Sequence, residues 1–297
     1  MEAQNPPINS DAVVVKNLTK YYGPHRGIEN IDLRVTTGTI HGFLGPNGAG
    51  KTTTIRILVG LMQETSGSAE LFGYPAETIE ARKLIGYLPS DFELYSHYTV
   101  KEYLDYIEAL RGKGKFRQEL VQLMKLDETR KTKELSRGNK QKVAIVQALM
   151  HNPPLLIADE PTTGLDPLMQ EEFNGYLMEY VNQGNTVFIS SHILADVQDI
   201  CDSVSVIKDG SIVSTGKITD LLSNLRKKVI VKLTDGQNIN DVATDLNAQI
   251  GPQILDRFTL FFDEPVLSFV KKLDESVIED FTLPEPSLEE YFLDLYQ

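Results

Sequence analysis

The sequence predicts an α/β fold that is interrupted by a helical subdomain and followed by a small α+β appendage. A strand, a glycine-rich loop and a helix follow one another around residues 45–52, which is the order of a βα unit. From Tyr98 to Met150 the apolar residues recur at helical spacing, and after residue 220 they alternate in the manner of strands. With 297 residues, 41% of them apolar, the chain is long enough to bury one large core and a second small one.

The N-terminal part is predicted to be β-structure. Segments with strand patterns cover residues 12–16, 28–35 and 39–44, with turn signals at Gly23-Pro24 and Thr37-Gly38. The third segment leads directly into the glycine-rich loop. Beyond the loop, the stretch KTTTIRILVGLM predicts a helix whose apolar face is formed by Ile55, Leu58, Leu61 and Met62.

The rest of the chain completes this layout. The segments YLDYIEAL, RQELVQLMKL and KVAIVQALM predict a helical subdomain at about residues 91–150. Strands are predicted again at 155–158 and 186–190, and a hairpin that turns at Asp209-Gly210 follows. We therefore expect a main domain over residues 1–222 and an accessory domain over residues 223–297, with strands at VIVKL and RFTLFF and a final helix at SLEEYFLDLYQ.

Composition and charge exclude several classes of protein. No apolar run approaches the roughly 18 to 20 residues of a membrane-spanning helix, so a transport function would need a separate chain for the pore. The stretch MEAQNPPINSD has no basic start followed by an apolar segment, so we expect no secretory signal and a cytoplasmic location. A net charge of -13 argues against nucleic-acid binding. The lone Cys201 fits a packing residue in a reducing compartment.

The glycine-rich loop has the pattern of a phosphate-binding loop. In such a loop, glycines let backbone N–H groups surround phosphates at the N-terminus of a helix. We expect Lys51 to reach the β- and γ-phosphates and the Thr52 hydroxyl to bind Mg²⁺. An ordinary glycine turn is the alternative, but the flanking strand and helix favour a nucleoside triphosphate site. The residues expected to contact the nucleotide here are Gly45, Pro46, Asn47, Gly48, Ala49, Gly50, Lys51, Thr52 and Thr53.

Two carboxylates, Asp159 and Glu160, follow the apolar segment LLIA. Phosphate loops open at the carboxyl edge of a sheet, so an apolar strand that ends at Asp159 places this residue to hold Mg²⁺ through water. Glu160 is then on the γ-phosphate side, where it can orient and deprotonate the attacking water. A solvated pair of acids at a strand end is the alternative. The sequence PTTGLD that follows favours the functional interpretation.

The segment LSRGNKQ, residues 135–141, lies upstream of Asp159 and opens a helix. In this position it resembles the signature motif of the ABC ATPases. The resemblance implies a P-loop NTPase core, which is a RecA-like sheet with an antiparallel β-subdomain and an inserted helical subdomain. It also implies that Ser136 and the Gly138 backbone contact the γ-phosphate bound to the other subunit of a dimer. A serine at a helix N-terminus suits an anion, and a plain helix cap is the alternative.

Further positions follow in the order of the same family. Tyr22 resembles the aromatic residue that stacks on adenine, and Tyr21 is the less favoured candidate. Asp166, in the sequence GLDP, resembles part of the loop that crosses the dimer interface. His192, after the strand TVFISS, resembles the switch histidine that holds the γ-phosphate and the water in line with Glu160. The catalytic residues implied in this way are Glu160, His192 and Lys51.

The chain departs from the family pattern at two places. After GYLP the family usually has Gln, or Glu in some branches, whereas this chain has Ser90 followed by Asp91. Either Ser90 contacts Mg²⁺ or water over a shorter reach, or Asp91 substitutes, or the contact is weaker. In the signature, Arg137 replaces the usual second glycine and Asn139 the usual glutamine. Branches similar to drug, sodium and antibiotic-peptide exporters tolerate such variation, so we interpret it as the mark of a subgroup.

The resemblance implies an ATP-hydrolysing subunit of an ABC transporter. It covers residues 12–220 by motif, and the stretch PSLEEYF near the C-terminus resembles the end of the daunorubicin-type drug-resistance (ABC-2) exporter ATPases, which favours export. The implied cofactors are ATP and Mg²⁺. The implied partners are a second ATPase subunit, in a homodimer or a heterodimer, and a separate transmembrane permease. The chain would then be cytoplasmic and peripheral on the inner face of the cell membrane.

Two other functions compete with this interpretation. A soluble ABC-type switch that acts on a macromolecular complex, such as the ribosome, typically carries two ATPase modules in one chain, whereas this sequence has one phosphate loop. A P-loop kinase or GTPase would leave the signature and His192 unexplained. Both are therefore disfavoured.

The segment from Gly86 to Tyr103 lies between the α/β core and the helical subdomain. If the chain serves a transporter, we expect its exposed aromatic residues Phe92, Tyr95 and Tyr98 to help form a groove for a cytoplasmic helix of the partner. Local packing of these rings is an equal alternative.

Overall fold

The computed structural model describes residues 11–296, with side chains described as far as residue 292. Over this range the chain divides into two compact units between Ile218 and Thr219, whereas the sequence places the boundary between residues 222 and 223. The expectation that no secretory signal is present concerns residues 1–11, of which 1–10 lie outside the described part. Each unit has its own apolar core.

The first unit contains two sheets. The strands of the smaller sheet are β1 (Asp11–Tyr22), β2 (His25–Thr36), β4 (Ser66–Leu71) and β5 (Tyr74–Pro75). Those of the larger sheet are β3 (Ile40–Leu44), β6 (Ile85–Leu88), β7 (Leu155–Asp159), β8 (Thr186–Ser191), β9 (Ser203–Lys208) and β10 (Ser211–Lys217). The smaller sheet is antiparallel with the order β2-β1-β4-β5. The larger has the order β10-β9-β3-β8-β7-β6 and is parallel except for β10.

The central strands of the larger sheet explain where the site forms. Every residue of β3, β7 and β8 is buried, as is typical of strands that are covered on both faces. These three strands are neighbours and run in the same direction, in the order β3-β8-β7. Whatever follows them in the sequence therefore meets at the carboxyl edge of the sheet.

The helices of the first unit lie between its strands in the sequence. They are α1 (Lys51–Leu58), α2 (Ile79–Lys83), α3 (Val100–Arg111), α4 (Arg117–Leu123), α5 (Arg137–Leu149), α6 (Pro167–Asn182) and α7 (Leu194–Ile200), and α8 (Ile218–Ser223) begins where this unit ends. The α3 to α5 segment is the helical part that the sequence predicts. It begins at Val100 because Thr99 and Glu102 form a capping box, in which each side chain accepts a hydrogen bond from the backbone N–H of the other.

Helices α3 and α4 are tied together by Arg117. Its guanidinium donates hydrogen bonds to Asp105 and Glu108 of α3, and to Glu128 beyond α4. Three carboxylates around one mostly buried guanidinium form a network, which holds side chains more firmly than an isolated surface pair does.

The helix predicted after the glycine-rich loop is shorter than expected. It ends at Leu58, because Gly60 adopts a φ of +70° that continues no right-handed helix. Leu61 is consequently exposed, while Met62 packs against the core. The prediction was wrong for these last two positions.

The second unit is a small α+β fold. Its strands are β11 (Lys227–Leu233), β12 (Gln249–Ile254), β13 (Arg257–Phe262) and β14 (Ile278–Thr282). Its helices are α9 (Ile239–Asp245), α10 (Val266–Val270) and α11 (Leu288–Tyr296), together with most of α8. The sheet is antiparallel with the order β12-β13-β11-β14. The predicted strands VIVKL and RFTLFF thus pair with each other, and Phe262 stacks on Phe269 in the core of this unit.

Candidate functional site

The glycine-rich loop connects β3 to α1 at the carboxyl edge of the larger sheet. Gly50 is the N-cap of α1 and has a φ of +113°, and a Cβ atom there would lie 2.5 Å from Ile28 Cγ2. Only glycine fits this position, because an L side chain would be strained and would also clash. The loop is further fixed by the Gly45 N–H, which donates to the Ser191 carbonyl at the end of β8. The loop therefore turns tightly into the N-terminus of α1, a position that favours an anion.

Lys51 opens α1, and its side chain is only 5% exposed. Its Nζ donates to the carbonyl of Gly45 at 2.7 Å and to that of Pro46 at 3.3 Å. Nζ also lies 3.6 Å from Glu160 Oε1. A buried ammonium group is stable only with such partners, so Lys51 brings a fixed positive charge to the loop.

Asp159, at the end of β7, is 1% exposed and is surrounded by hydroxyl groups. Thr52 Oγ1 donates to its Oδ2 at 2.8 Å, and Ser90 Oγ donates to the same oxygen at 3.2 Å. Ser190 Oγ donates to Oδ1. The hydrogen bonds satisfy a buried carboxylate that would otherwise be costly to keep charged. Burial, followed by the charge of Asp159, raises the pKa of Tyr87 on the neighbouring strand β6.

Glu160 follows Asp159 and has a left-handed backbone, with φ at +52°. Its Oε1 lies 3.1 Å from His192 Nδ1, and the same oxygen faces Lys51. His192 follows β8, so the histidine and the carboxylate come from the ends of two adjacent strands. A carboxylate, an imidazole and an ammonium group therefore meet at one point beside the loop.

A cavity of about 320 Å³ opens in front of these groups. Its lining residues that the sequence points to are Tyr22, Asn47, Gly48, Gly50, Lys51, Thr52, Thr53 and Glu160. Tyr22 is 44% exposed, and its hydroxyl contacts Thr53 Oγ1 and Met62 Sδ, each at 3.1 Å. The hydroxyl of Tyr21, the other candidate aromatic, instead donates to Glu29 at 2.7 Å. The lining of the cavity thus includes an aromatic ring, Tyr22, and a charged group, Lys51.

Three residues of this region are missing from the sequence-based site. Arg26 and Gly27 line the cavity, and Ser190 bonds Asp159. Arg26 pairs with Tyr21 across the β1–β2 ladder, and its guanidinium donates to Glu29 at 3.3 Å. Arg26 reaches the cavity through a strand pairing that no local sequence motif predicts. For Ser190, its place two residues before His192 was a signal that sequence reasoning could have used.

The predicted residues of the signature region do not line this cavity. Ser136 caps α5, and its hydroxyl accepts the Asn139 N–H at 3.3 Å. Asp166 caps α6 by accepting the Met169 N–H at 3.0 Å. Gly138 lies so near the loop before α6 that a Cβ atom there would be 2.5 Å from the Gly164 carbonyl oxygen. The structure therefore brings these three predicted residues to a second polar edge, apart from the cavity in the same chain.

The donor set at Asp159 suits a hard cation. Thr52, Ser90 and Asp159 supply oxygen atoms to one place, and oxygen is the ligand that Mg²⁺ prefers. Within residues 11–296, no group of three or more histidine, cysteine, aspartate or glutamate side chains is arranged to hold a metal ion. One carboxylate with hydroxyl groups fits a magnesium ion that also takes phosphate and water oxygens.

Among the helices between residues 11 and 296, none combines the length and the apolar character that are needed to cross a lipid bilayer. The longest, α6, has 16 residues.

Comparison with known proteins agrees with the geometry. A family model described as "ABC transporter" matches residues 28–163. The chain is 34% identical to the bacitracin transport ATP-binding protein BcrA of Bacillus licheniformis, over 96% of this chain and 97% of the relative. It is 33% identical to the linearmycin resistance ATP-binding protein LnrL of Bacillus subtilis, over 94% and 96% of the two chains. Both matches extend over nearly the whole length of each protein.

A solved structure with the same fold is a dimeric ATP-binding cassette in a post-hydrolysis state bound to ADP and Pi. It superimposes with a TM-score of 0.64 at 26% identity, over 69% of this chain and 98% of that chain. The predicted P-loop NTPase fold is thereby confirmed. The chain belongs to the ABC transporter family and is one of its ATP-binding, ATP-hydrolysing subunits.

Proposed function

We propose that this chain powers an ABC exporter and that Glu160, Lys51 and His192 carry out ATP hydrolysis. The supporting observation is that two nitrogen atoms meet at one carboxylate oxygen. Lys51 Nζ lies 3.6 Å and His192 Nδ1 lies 3.1 Å from Glu160 Oε1, beside the cavity that the phosphate loop forms. Phosphoryl transfer needs a group that takes a proton from water, a group that orients it and a positive charge for the phosphate.

In this proposal Glu160 is the general base. Its carboxylate accepts the proton of the attacking water, and His192 holds that water and the γ-phosphate in line. Lys51, which contacts loop carbonyls and Glu160, turns its ammonium group to the β- and γ-phosphates when ATP binds. The left-handed backbone of Glu160 supports this role, because strained conformations persist where the surrounding structure fixes them.

Thr52, Ser90 and Asp159 are the proposed Mg²⁺ site. When bound there with the nucleotide, Mg²⁺ neutralises charge on the phosphate oxygens. Of the three possibilities for the departure at Ser90, its hydrogen bond to Asp159 favours a direct role with a short reach. Asp91, the other candidate, is exposed.

We assign nucleoside binding to Tyr22 and phosphate binding to the loop from Gly45 to Thr53. Tyr22 is suited to stack on adenine, because its ring is 44% exposed and its hydroxyl is held by Thr53 and Met62. Tyr22 and Lys51 line the same cavity, which supports a nucleotide that contacts both.

A second copy of the chain, or a related ATPase, completes each site in this proposal. Ser136 and the Gly138 backbone contact the γ-phosphate held by the phosphate loop of the other subunit, and Asp166 lies at the subunit interface. The support is that these residues occur on a polar edge apart from the cavity of their own chain, and that a related cassette is a dimer. Because one chain contains both halves of a site, a homodimer is sufficient.

The dimer is proposed to act on a separate transmembrane permease, at the inner face of the cell membrane. Residues 1–222 would be the ATPase domain and residues 223–297 an accessory domain. The names of BcrA and LnrL, which refer to bacitracin transport and linearmycin resistance, support export as the direction.

The aromatic cluster near α3 is the proposed docking groove. Tyr95 contacts the rings of Tyr98, Tyr103 and Tyr106, and Phe92 contacts Tyr103. The rings therefore pack locally, and Phe92 and Tyr98 are half-buried, whereas the sequence predicts them as exposed. Tyr95 is 53% exposed and can also receive a partner helix. Packed aromatic side chains with one exposed face are typical centres of protein interfaces.

Co-purification tests the proposed function. A tagged chain recovered from detergent-solubilised membranes of its own organism should bring a polytopic membrane protein in near-equal amount, as identified by mass spectrometry. Tyr95→Ala should lower this recovery, whereas Tyr74→Ala, which removes another half-exposed tyrosine, should not. Recovery of soluble complexes alone would overturn the transporter function, and an unchanged recovery with Tyr95→Ala would reject the groove at that position.

A further inference from the structure

Ser190 occupies the centre of the site but belongs to none of the motifs that describe it. It lies in β8, is 0% exposed, and pairs directly with Asp159 of β7 in the parallel ladder. Its hydroxyl donates to Asp159 Oδ1 and accepts the backbone N–H of Glu160 at 3.1 Å. Its carbonyl accepts the same N–H at 3.2 Å. One side chain therefore contacts both acidic residues.

The two contacts act on different parts of the acids. On Asp159, the bond from Ser190 fixes Oδ1, so that Oδ2 faces the hydroxyls of Thr52 and Ser90. A carboxylate held at both oxygens cannot rotate about its χ2 angle without losing a buried hydrogen bond.

On Glu160, the bond acts on the backbone. The residue has a φ of +52°, which costs energy for any residue with a side chain. The hydrogen bonds from its N–H to the Ser190 hydroxyl and carbonyl hold this conformation. The conformation in turn determines where the carboxylate emerges, and here it emerges beside Lys51 and His192.

We propose that Ser190 is a positioning residue for hydrolysis, because its hydroxyl bridges the Asp159 carboxylate and the Glu160 backbone and sets both in register. The proposal rests on the roles assigned to Asp159 and Glu160 above. Ser190 itself touches neither nucleotide nor water in this scheme. It should therefore affect the rate of the chemical step more than the binding of ATP.

Ser190→Ala, measured against Ser205→Ala, tests this. Ser205 is a matched control, because it is equally buried in the same sheet and also bonds two side chains, His41 and Thr215. Both variants should lower the thermal midpoint. Only Ser190→Ala should lower kcat, by about tenfold, with KM for ATP changed by less than about twofold. If kcat is unchanged in both variants, the role of Ser190 is purely structural and the proposal is overturned.

A conservative variant separates the hydroxyl from packing. Ser190→Thr keeps the donor, so it should recover at least about half of the lost kcat if the hydrogen bonds matter. If Ser190→Thr folds and is as slow as Ser190→Ala, or if Ser190→Ala loses ATP affinity in place of kcat, the proposal is rejected. Failure of the proposed function would give a different result. Glu160→Gln would then leave hydrolysis unchanged, both in the wild-type chain and in Ser205→Ala.

Discussion

At the phosphate-loop edge, which comprises Lys51, Thr52, Asp159, Glu160 and His192, side chains from different segments bond to one another. At the signature edge, which comprises Ser136, Gly138 and Asp166, the two polar side chains bond backbone N–H groups of the helices that they cap. The first edge is thus assembled within the chain, whereas the second presents helix N-termini to whatever approaches it. The difference fits the proposal that one chain holds ATP and that a second chain encloses it.

The largest effect is expected at the centre of the phosphate-loop edge. Glu160→Gln keeps the shape of the side chain and removes its basicity, so hydrolysis should fall by at least about 100-fold while ATP binding persists. Steady-state ATPase rates and nucleotide retention on the purified dimer measure the two effects. Turnover at the wild-type rate would show that another group is the base, and the first edge would lose its catalytic role.

The next effect concerns the charge that this edge supplies. Lys51→Ala removes a buried ammonium group that has two carbonyls and Glu160 as partners, so ATP should bind about 100-fold more weakly. Isothermal titration with ATP measures the Kd. Lys133→Ala, which removes an exposed lysine elsewhere, is the control and should bind as the wild type does. Equal affinity of the Lys51 variant would contradict the phosphate assignment.

A smaller effect is expected at Tyr22, the aromatic residue of the cavity. Tyr22→Ala should weaken ATP binding by roughly 1 to 3 kcal/mol, because a stacking surface is lost. Tyr22→Phe keeps the ring and loses only contacts with Thr53 and Met62, so its Kd should stay within about threefold of wild type. Should the two variants bind alike, the ring would not be the adenine platform.

The smallest effect concerns the sheet beneath the phosphate-loop edge and appears only in acid. Burial lowers the pKa of His41 in β3 from 6.5 to about 4. Between these values the unfolded chain binds the proton more readily than the folded one, so acidification favours unfolding. The contribution of His41 to the free energy of unfolding is fully present above pH 6.5 and is lost as the pH falls towards 4.

At pH 5.5 the loss from His41 should be roughly 1 kcal/mol of unfolding free energy. His41→Gln cannot take up this proton, so urea unfolding at pH 7.5 and pH 5.5 should show a smaller loss for the variant than for the wild type. An identical loss in both proteins would mean that His41 does not report on the acid sensitivity of this sheet.

The sequence predicted the phosphate-loop edge well because its residues lie in contiguous motifs. Lys51 and Thr52 follow the glycines, and Asp159 and Glu160 end an apolar strand, so a local pattern is enough to find them. The α/β fold and the membership in the ABC family, both predicted in this way, are confirmed. The roles assigned to individual residues stay predictions.

What the sequence missed depends on pairings between distant segments. Arg26 reaches the cavity through the β1–β2 ladder, and Ser190 meets Asp159 through the β7–β8 ladder, 31 residues apart in the chain. Strand β4, with the sequence SGSAEL, has too little apolar character to be recognised alone and is held by its pairing with β1. The apolar periodicity also predicted too long a helix α1, because the residues after Gly60 continue the apolar pattern although the helix has ended.

Each ATP site is proposed to be shared between two chains, and a mixed dimer tests this proposal most directly. One chain carries Ser136→Arg, its partner is wild type, and two affinity tags isolate the mixed species. The photoreactive group of 8-azido-ATP is on the base, so labelling marks the chain whose Tyr22 contacts that base. A mixed dimer with Ser66→Arg, a change at an exposed serine on the smaller sheet, is the control and should label both chains. We predict that labelling of the wild-type chain decreases and that labelling of the Ser136→Arg chain persists. Loss of label from the Ser136→Arg chain alone would contradict the shared site.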